Sequence, residues 1–131
     1  MVGSSLIFAF AALVGTLIYF KPPPVRFVYV ESSLSKQGEI VFRRQSCFSC
    51  HEIFGNGASY GPSLDGVGSR RSQAWLRQYL QAPKPGVSAK PYRLRMPAYV
   101  NLEASELEAL VAYLQGLREK DGDKRLLNPS G

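Results

Sequence analysis

Hydrophobic and polar positions are unevenly spread along this chain, and the longest uncharged run lies at its beginning. Residues 2–20 carry no charged side chain. As an α-helix this run would measure about 28 Å, close to the roughly 30 Å thickness of a bilayer's hydrocarbon core. The competing interpretation is a secretory signal peptide, but the run has no basic segment before it and is longer than a usual signal core. We therefore predict a retained transmembrane helix over residues 1–20.

A run of prolines follows the apolar segment. Pro22, Pro23 and Pro24 fix three φ angles and remove three amide donors, so a helix cannot continue through them. We predict a stiff proline-rich spacer over residues 21–34. Its second half, about residues 25–33, should be a short extended piece that packs on the following domain or on a partner subunit.

Amphipathic spacing predicts three short helices in the rest of the chain, at about residues 35–45, 72–80 and 103–119. The last is the clearest, because its apolar residues recur at intervals of three and four. These residues are Leu107, Leu110, Val111, Leu114 and Leu117. Asn101 and Ser105 are both acceptable N-caps for this helix, and the sequence does not choose between them.

Glycine and proline interrupt the segments between these helices. Residues 52–71 contain six such breakers and residues 81–100 contain four prolines, so both read as loops. No alternating strand pattern appears. We therefore predict an all-α domain over residues 35–119 and a solvated tail over residues 120–131. Three short helices enclose little core on their own, so a cofactor at the centre is expected.

The strongest chemical signal is the run Cys47-Phe48-Ser49-Cys50-His51. This is the pattern of covalent haem attachment, in which two thiols form thioethers with the haem vinyl groups. Two residues between the cysteines match the separation of those groups, and the adjoining His51 lies beneath the iron. We predict one covalently bound haem c.

Three other kinds of site compete with haem for these residues. A closed zinc site needs four ligands, whereas the chain has two cysteines and one histidine. A thioredoxin-like redox pair requires a strand-helix-strand context, which the sequence pattern does not indicate. A structural disulfide would leave the adjoining histidine unexplained.

The second axial ligand of the iron follows by elimination. His51 is the one histidine of the chain, so sulfur is the remaining ligand type. Met1 belongs to the apolar terminus, which leaves Met96, stiffened by the adjoining Pro97. The alternative role for Met96 is that of a gap-filling core residue. A His51/Met96 pair fills both axial positions and raises the reduction potential relative to two nitrogen ligands.

The net charge of the chain indicates what its surface contacts. Sixteen Lys and Arg against ten Asp and Glu give a net charge of +6. No basic run exceeds two residues, so we expect no nucleic-acid partner and assign the excess to haem propionates and an acidic redox partner. The expected propionate contacts are Tyr60, Arg70, Arg93 and Arg95. An apolar wall that excludes water is expected from Ile53, Leu64, Val67, Trp75, Leu94 and the last helix.

From residue 35 to residue 118 the chain resembles the class I monohaem cytochromes c. The resemblance rests on the attachment run, on Gly61-Pro62-Ser63-Leu64, on Met96-Pro97 and on Leu110-Val111-Ala112-Tyr113-Leu114. It implies that the first and last helices of the domain cross at Gly38 and Tyr113. It also implies that the Pro62 carbonyl accepts a hydrogen bond from His51 Nδ1, which orients the imidazole ring.

A narrower resemblance is to the small cytochrome c subunit of bacterial nitric oxide reductase, which has one N-terminal transmembrane helix. It rests on residues 50–62 together with Leu64, Val67, Arg70 and Arg71, and it does not extend to the proline spacer or the tail. It implies a single-pass protein of the bacterial cytoplasmic membrane, with the haem domain on the outer, periplasmic face. The basic residues after the apolar run favour the opposite orientation.

These features predict one-electron transfer by a membrane-anchored carrier that is not an enzyme on its own. The expected partners are the lipid bilayer, redox donor and acceptor proteins, and a respiratory membrane complex with a haem-copper-type large subunit. Two alternatives stay open: a haem enzyme or gas sensor with an open iron site, and a chain that mainly anchors a larger complex. A low-spin spectrum with a methionine-to-iron band would favour the carrier over the enzyme.

Overall fold

The computed structural model describes residues 2–19, 26–84 and 95–120. The helices in these ranges are α1 (Val2–Tyr19), α2 (Ser33–Arg44), α3 (Val67–Arg70), α4 (Gln73–Gln81) and α5 (Ala104–Gly116), with a 3-10 turn at Cys47–Ser49. The strands are β1 (Phe27–Tyr29), β2 (Glu52–Ile53), β3 (Asn56–Gly57) and β4 (Leu117–Glu119). The proline run, the tail from residue 121, Arg93 and Leu94 lie outside the described residues.

Helix α1 forms within the uncharged N-terminal run. Its large apolar side chains between Leu6 and Tyr19 are exposed to the surroundings. Within the described ranges, no helix is both long enough and apolar enough to cross a membrane. The transmembrane span over residues 1–20 stays a prediction.

The core of the domain lies between α2 and α5, which cross at a glycine. A Cβ built on Gly38 would collide with the Ala109 carbonyl oxygen and lie 2.7 Å from Tyr113 Cβ. Only glycine therefore lets the two backbones approach this closely. Phe42 and Leu110, each 1% exposed, are among the most deeply buried side chains, and the Phe42 and Tyr113 rings are 5.2 Å apart. The expected contact between Gly38 and Tyr113 is confirmed.

Helix α5 begins and ends differently from the predicted helix over residues 103–119. Its N-cap is Glu103, which forms a reciprocal capping box with Glu106. The assignment of the cap to Asn101 or Ser105 is wrong, because the Glu103 amide and side chain already close the first turn with Glu106. The helix stops at Gly116, and the last three residues of the predicted helix continue as strand β4.

A short antiparallel pair of strands joins the two ends of the domain. β1 pairs with β4 so that Val28 lies opposite Arg118, and the Lys120 amide donates to the Arg26 carbonyl oxygen at 2.8 Å. We call the β1–β4 pair the terminal clamp. The extended piece therefore packs on the domain, one of its two expected positions. The described domain is rich in helix, as the all-α prediction expects, and the short strands are an addition to it. Strands of three residues are too short to show an alternating pattern in the sequence.

Side chains fasten the terminal clamp to α2. The Tyr29 hydroxyl donates to Ser35 Oγ at 2.8 Å, and the Tyr29 ring meets the edge of Tyr113 with 5.4 Å between centroids. Ser35 also closes the capping box of α2, because its amide donates to Ser32 Oγ and its hydroxyl accepts from the Ser32 amide. The extent of α2 agrees with the predicted helix over residues 35–45 to within two residues.

The segment from residue 52 to residue 71 holds more regular structure than the predicted loop. β2 and β3 form a hairpin joined by Phe54 and Gly55, whose φ angles are 50° and 78°. Two-residue hairpin turns need such positive φ angles. α3 follows at Val67, and Ser72 Oγ then accepts from the Trp75 amide to begin α4, the second predicted helix.

We expect Gly38→Ala to lower the free energy of unfolding of the domain by about 1–3 kcal/mol, the usual cost of overpacking. The added methyl group has no room at the crossing of α2 and α5. Gly15→Ala is the matched control: a Cβ on Gly15 meets no atom within 4 Å, so its effect should stay within about 0.5 kcal/mol. Guanidinium unfolding of both variants tests this, and equal midpoints would contradict the close crossing.

Candidate functional site

One tight turn brings the two cysteines and the histidine together. Ser46 takes a left-handed conformation with φ of 56°, and the Cys47 carbonyl oxygen accepts hydrogen bonds from the amides of Cys50 (3.2 Å) and His51 (2.9 Å). The two cysteines form no disulfide with each other; Cys47 is buried and Cys50 half-buried. Removal from water raises the pKa of the Cys47 thiol. We call residues 46–51 the attachment turn.

A hydrogen bond to the chain beyond the turn fixes the His51 ring. Nδ1 lies 2.8 Å from the Pro62 carbonyl oxygen, so the contact implied by the family resemblance is present. The Gly61 amide donates to the Cys50 carbonyl oxygen at 2.6 Å, which places Gly61 against the ring. A Cβ on Gly61 would lie 2.6 Å from His51 Cε1. The ring is thus held on one nitrogen and one face, and Nε2 remains for a ligand bond.

The loop that carries Pro62 is itself tied to the attachment turn. The Ala58 amide donates to the Phe48 carbonyl oxygen at 2.9 Å, and the Leu64 amide donates to the Glu52 carbonyl oxygen at 3.0 Å. These backbone bonds bracket the segment on both sides of Pro62. The position of the carbonyl that orients His51 is therefore set by the fold.

Four of the residues predicted to form an apolar wall belong to, or pack against, the hydrophobic core that contains Cys47. Ile53 and Val67 are buried, and Leu64 and Trp75 are partly buried against the same core. The fifth predicted member, Leu94, lies outside the described residues. Other residues, not predicted as part of the wall, belong to the same core or pack against it: Leu76, Leu80, Tyr99 and Leu102. Such a surface favours a large apolar ligand over a hydrated ion.

The segment 95–103, which we call the ligand loop, reaches the attachment turn through an aromatic residue. Met96 and Tyr99 are both half-buried and pack against the core. The Tyr99 amide donates to the Leu80 carbonyl oxygen at 2.9 Å, and its hydroxyl lies 4.0 Å from Cys47 Sγ. Sequence reasoning missed Tyr99; its signal was an aromatic residue three positions after Met96.

The four residues predicted to contact propionates come from the two predicted loops, residues 52–71 and 81–100. Arg70 donates to the backbone carbonyl oxygens of Asp65 and Ser63, in the loop that carries Pro62. Tyr60 and Arg95 are exposed, and Arg93 lies outside the described residues. The structure therefore places Arg70 beside the loop of Pro62, while a propionate role for any of the four remains a prediction.

Two ion pairs with helix α5 neutralise part of the chain's excess positive charge. Arg44 binds Glu106 and Arg77 binds Glu108, each at 2.6 Å, and these hydrogen bonds lower the pKa of both carboxyl groups. The pairs are largely exposed, so each contributes little to stability. Their main effect is to remove these arginines from the freely available positive charge of the surface.

The residues of the attachment turn fit a covalent haem and not a closed metal site. In the described part of the chain, no group of three or more His, Cys, Asp or Glu side chains is arranged to hold a metal ion. Two adjacent thiols, an imidazole with one free nitrogen and an apolar surround are what a thioether-linked haem requires. A surface cavity of about 310 Å³ borders the ligand loop at Pro97 and Tyr99.

Comparison with known proteins agrees with this site. A family model described as Cytochrome c matches residues 35–118. The chain is 31% identical over 98 residues to cytochrome c oxidase subunit 2 of Alkalihalophilus pseudofirmus, covering 66% of this chain and 26% of that protein. It is 35% identical over 101 residues to cytochrome c oxidase subunit 2 of Bacillus subtilis, covering 67% and 28%.

A third relative confirms the narrower resemblance seen in the sequence. The chain is 27% identical over 95 residues to the C subunit of nitric oxide reductase from Halomonas halodenitrificans, covering 64% of this chain and 61% of that protein. The chain thus spans about a quarter of the length of the two oxidase subunits and about three fifths of the reductase subunit.

We expect Gly61→Ala to displace the His51 ring from its hydrogen bond with Pro62, because the new Cβ overlaps the ring face. Pigment should stay attached to the denatured chain, since Cys47 and Cys50 are untouched. If His51 binds the haem iron as the sequence predicts, that bond should weaken about tenfold, as for other residues that orient metal ligands.

Acid titration of the visible spectrum measures this loss of the histidine ligand. Ala58→Gly changes the same loop without adding an atom and should titrate like the unaltered protein. Identical titrations of the two variants would show that Gly61 does not constrain the ring.

Proposed function

This chain belongs to the cytochrome c family, and from that premise we propose that it carries single electrons between membrane redox proteins. Membership in the family implies a covalently attached haem c. When bound, that group supplies an iron that alternates between the ferric and ferrous states. We propose that residues 35–119 form the haem domain, residues 1–20 an anchor, residues 21–34 a spacer and residues 120–131 a solvated tail.

The hydrogen bond between His51 Nδ1 and the Pro62 carbonyl oxygen, 2.8 Å long, is the observation that carries this proposal. A carbonyl oxygen accepts only, so Nδ1 must hold the ring proton. In the neutral imidazole, Nε2 then carries the lone pair that can bind iron. Cys47 and Cys50, on the same turn, supply the two thioether bonds.

Met96 is the proposed sixth ligand. It lies half-buried on the ligand loop and packs against the apolar core that surrounds the attachment turn. If His51 and Met96 both bind the iron, no coordination position would be open to substrate, which favours an electron carrier over an enzyme or gas sensor. A pair of ligands that stays bound in both oxidation states also keeps structural rearrangement small.

The apolar wall sets the electrostatics of the site. Ile53 and Val67 are buried in the same core as Cys47. Beside a bound haem they would exclude water, which would make the extra positive charge of the oxidised state costly and favour the reduced state. We propose Arg70 as a propionate partner, with Tyr60, Arg93 and Arg95 as further candidates.

The proposed partners follow from the relatives and from α1. The named relatives are subunits of cytochrome c oxidase and nitric oxide reductase, which supports a haem-copper-type membrane complex as the electron acceptor or donor. The exposed apolar surface of α1 supports insertion of the N-terminal segment in the bilayer beside that complex. The haem domain would then lie on the outer face of the bacterial cytoplasmic membrane.

We expect Met96→Ala to abolish the methionine-to-iron charge-transfer band of the oxidised protein. Loss of the sulfur ligand should lower the reduction potential by on the order of 0.1 V, since axial ligands set potentials over a range of about 0.8 V. An open position should also let the reduced protein bind carbon monoxide. Absorption spectroscopy and redox titration measure these changes.

Leu102→Ala is the control for general loss of packing, because Leu102 is likewise a partly buried residue beside the core. This variant should keep the charge-transfer band. A wild-type protein that is high-spin and binds carbon monoxide without the Met96 change would refute the carrier and favour the enzyme or sensor.

Membrane attachment gives a separate test of the proposed anchor. The full chain should stay in the membrane fraction after alkaline carbonate extraction, whereas a version without residues 2–20, exported by a cleavable signal, should be released. Both should show the same haem spectrum. A second control replaces α1 by an unrelated apolar helix, which should retain membrane binding. Release of the full chain by carbonate would refute the anchor and leave the electron-transfer proposal intact.

A further inference from the structure

Tyr99 lies where the ligand loop meets helix α4 and the attachment turn. Its amide donates to the Leu80 carbonyl oxygen near the end of α4 at 2.9 Å. Its ring packs against the core, and its hydroxyl lies 4.0 Å from Cys47 Sγ in the attachment turn. Tyr99 stands three residues after Met96, so it joins the ligand loop both to α4 and to the first haem-bonding cysteine.

The direction of the contact between Tyr99 and Cys47 follows from the chemistry of attachment. In the free thiol either group can donate the hydrogen bond. When the Cys47 S–H adds across a haem vinyl group, sulfur gains a bond to one vinyl carbon and the proton passes to the other. The resulting thioether sulfur has no proton, so it can only accept. From then on the Tyr99 hydroxyl is the donor.

The hydroxyl is well suited to remain a donor. Removal from water raises the pKa of Tyr99, so the group keeps its proton at neutral and moderately alkaline pH. Its backbone is fixed by the bond to Leu80, which limits how far the side chain can swing away. The donor therefore stays beside the sulfur in both oxidation states of the site.

We propose that Tyr99 is a positioning residue that donates a hydrogen bond to the Cys47 thioether and holds the ligand loop of Met96 against the attachment turn. This inference rests on the proposed function, since it needs the thioether and the methionine ligand. The positive end of the O–H dipole points at a sulfur joined to the haem edge. It therefore favours the state with one more electron, and the reduction potential is higher with the hydroxyl than without it.

Tyr99→Phe tests the hydroxyl alone, because the aromatic ring and its packing are kept. We expect the charge-transfer band of Met96 to persist and the equilibrium for reduction to fall about twofold to fivefold. For a one-electron couple this corresponds to roughly 20–40 mV, at about 59 mV for each tenfold change. Potentiometric titration of the full-length protein in detergent measures the shift.

Tyr79→Phe is the matched control. Tyr79 stacks on Trp75 with 4.6 Å between ring centroids. This substitution also removes one phenolic oxygen, but from a residue that is not in the attachment turn or the ligand loop. Its potential should equal that of the unaltered protein. A Tyr99→Phe shift no larger than that of Tyr79→Phe overturns the proposed hydrogen bond.

A third variant, Tyr99→Leu, separates the ring from the hydroxyl. It removes the packing as well, so we expect the methionine band to be lost at a lower guanidinium concentration than in Tyr99→Phe. If both variants lose the band at the same guanidinium concentration, Tyr99 does not hold the ligand loop against the attachment turn, and that part of the proposal is overturned. If the unaltered protein shows no methionine band, the proposed function itself fails, and that result is visible before any Tyr99 variant is compared.

Discussion

The hydrogen bond from His51 to the Pro62 carbonyl is the constraint on which the chemistry of this chain depends. It selects one tautomer of the imidazole and directs Nε2 away from the protein loop. Proline suits this position, because its ring restricts the backbone that carries the accepting carbonyl. The adjoining Gly61 leaves space for the ring face, so the orientation of one side chain is set by two consecutive residues.

The rest of the fold keeps that arrangement rigid. The close crossing of α2 and α5 at Gly38 forms the core, and the attachment turn begins two residues after α2 ends at Arg44. Backbone bonds from Ala58 and Leu64 hold the Pro62 loop on the turn. An electron carrier benefits from such bracing, because any movement of ligands between oxidation states adds to the barrier for transfer.

The sequence predicts best those features that are determined by spacing. The attachment run has a fixed geometry because thioether and ligand bonds demand it, and α5 shows its apolar face over several turns. The terminal clamp was not predicted as strands, since three-residue strands pair through backbone atoms that carry no sequence pattern. Tyr99 was missed for a similar reason: its partners Leu80 and Cys47 are distant in sequence, and only folding brings them together.

The terminal clamp also bears on how the domain is tethered. β1 lies outside the residues that match the family, yet it pairs with the strand that ends the domain. Because β1 begins at Phe27, only residues 20–26 separate it from α1, and a fully extended chain of that length spans at most roughly 25 Å. With α1 as the proposed anchor, the haem domain samples a small volume, and its concentration near a neighbouring membrane protein is correspondingly high. Under the proposed anchor, such a short tether would favour repeated exchange with a neighbouring membrane partner over long-range shuttling.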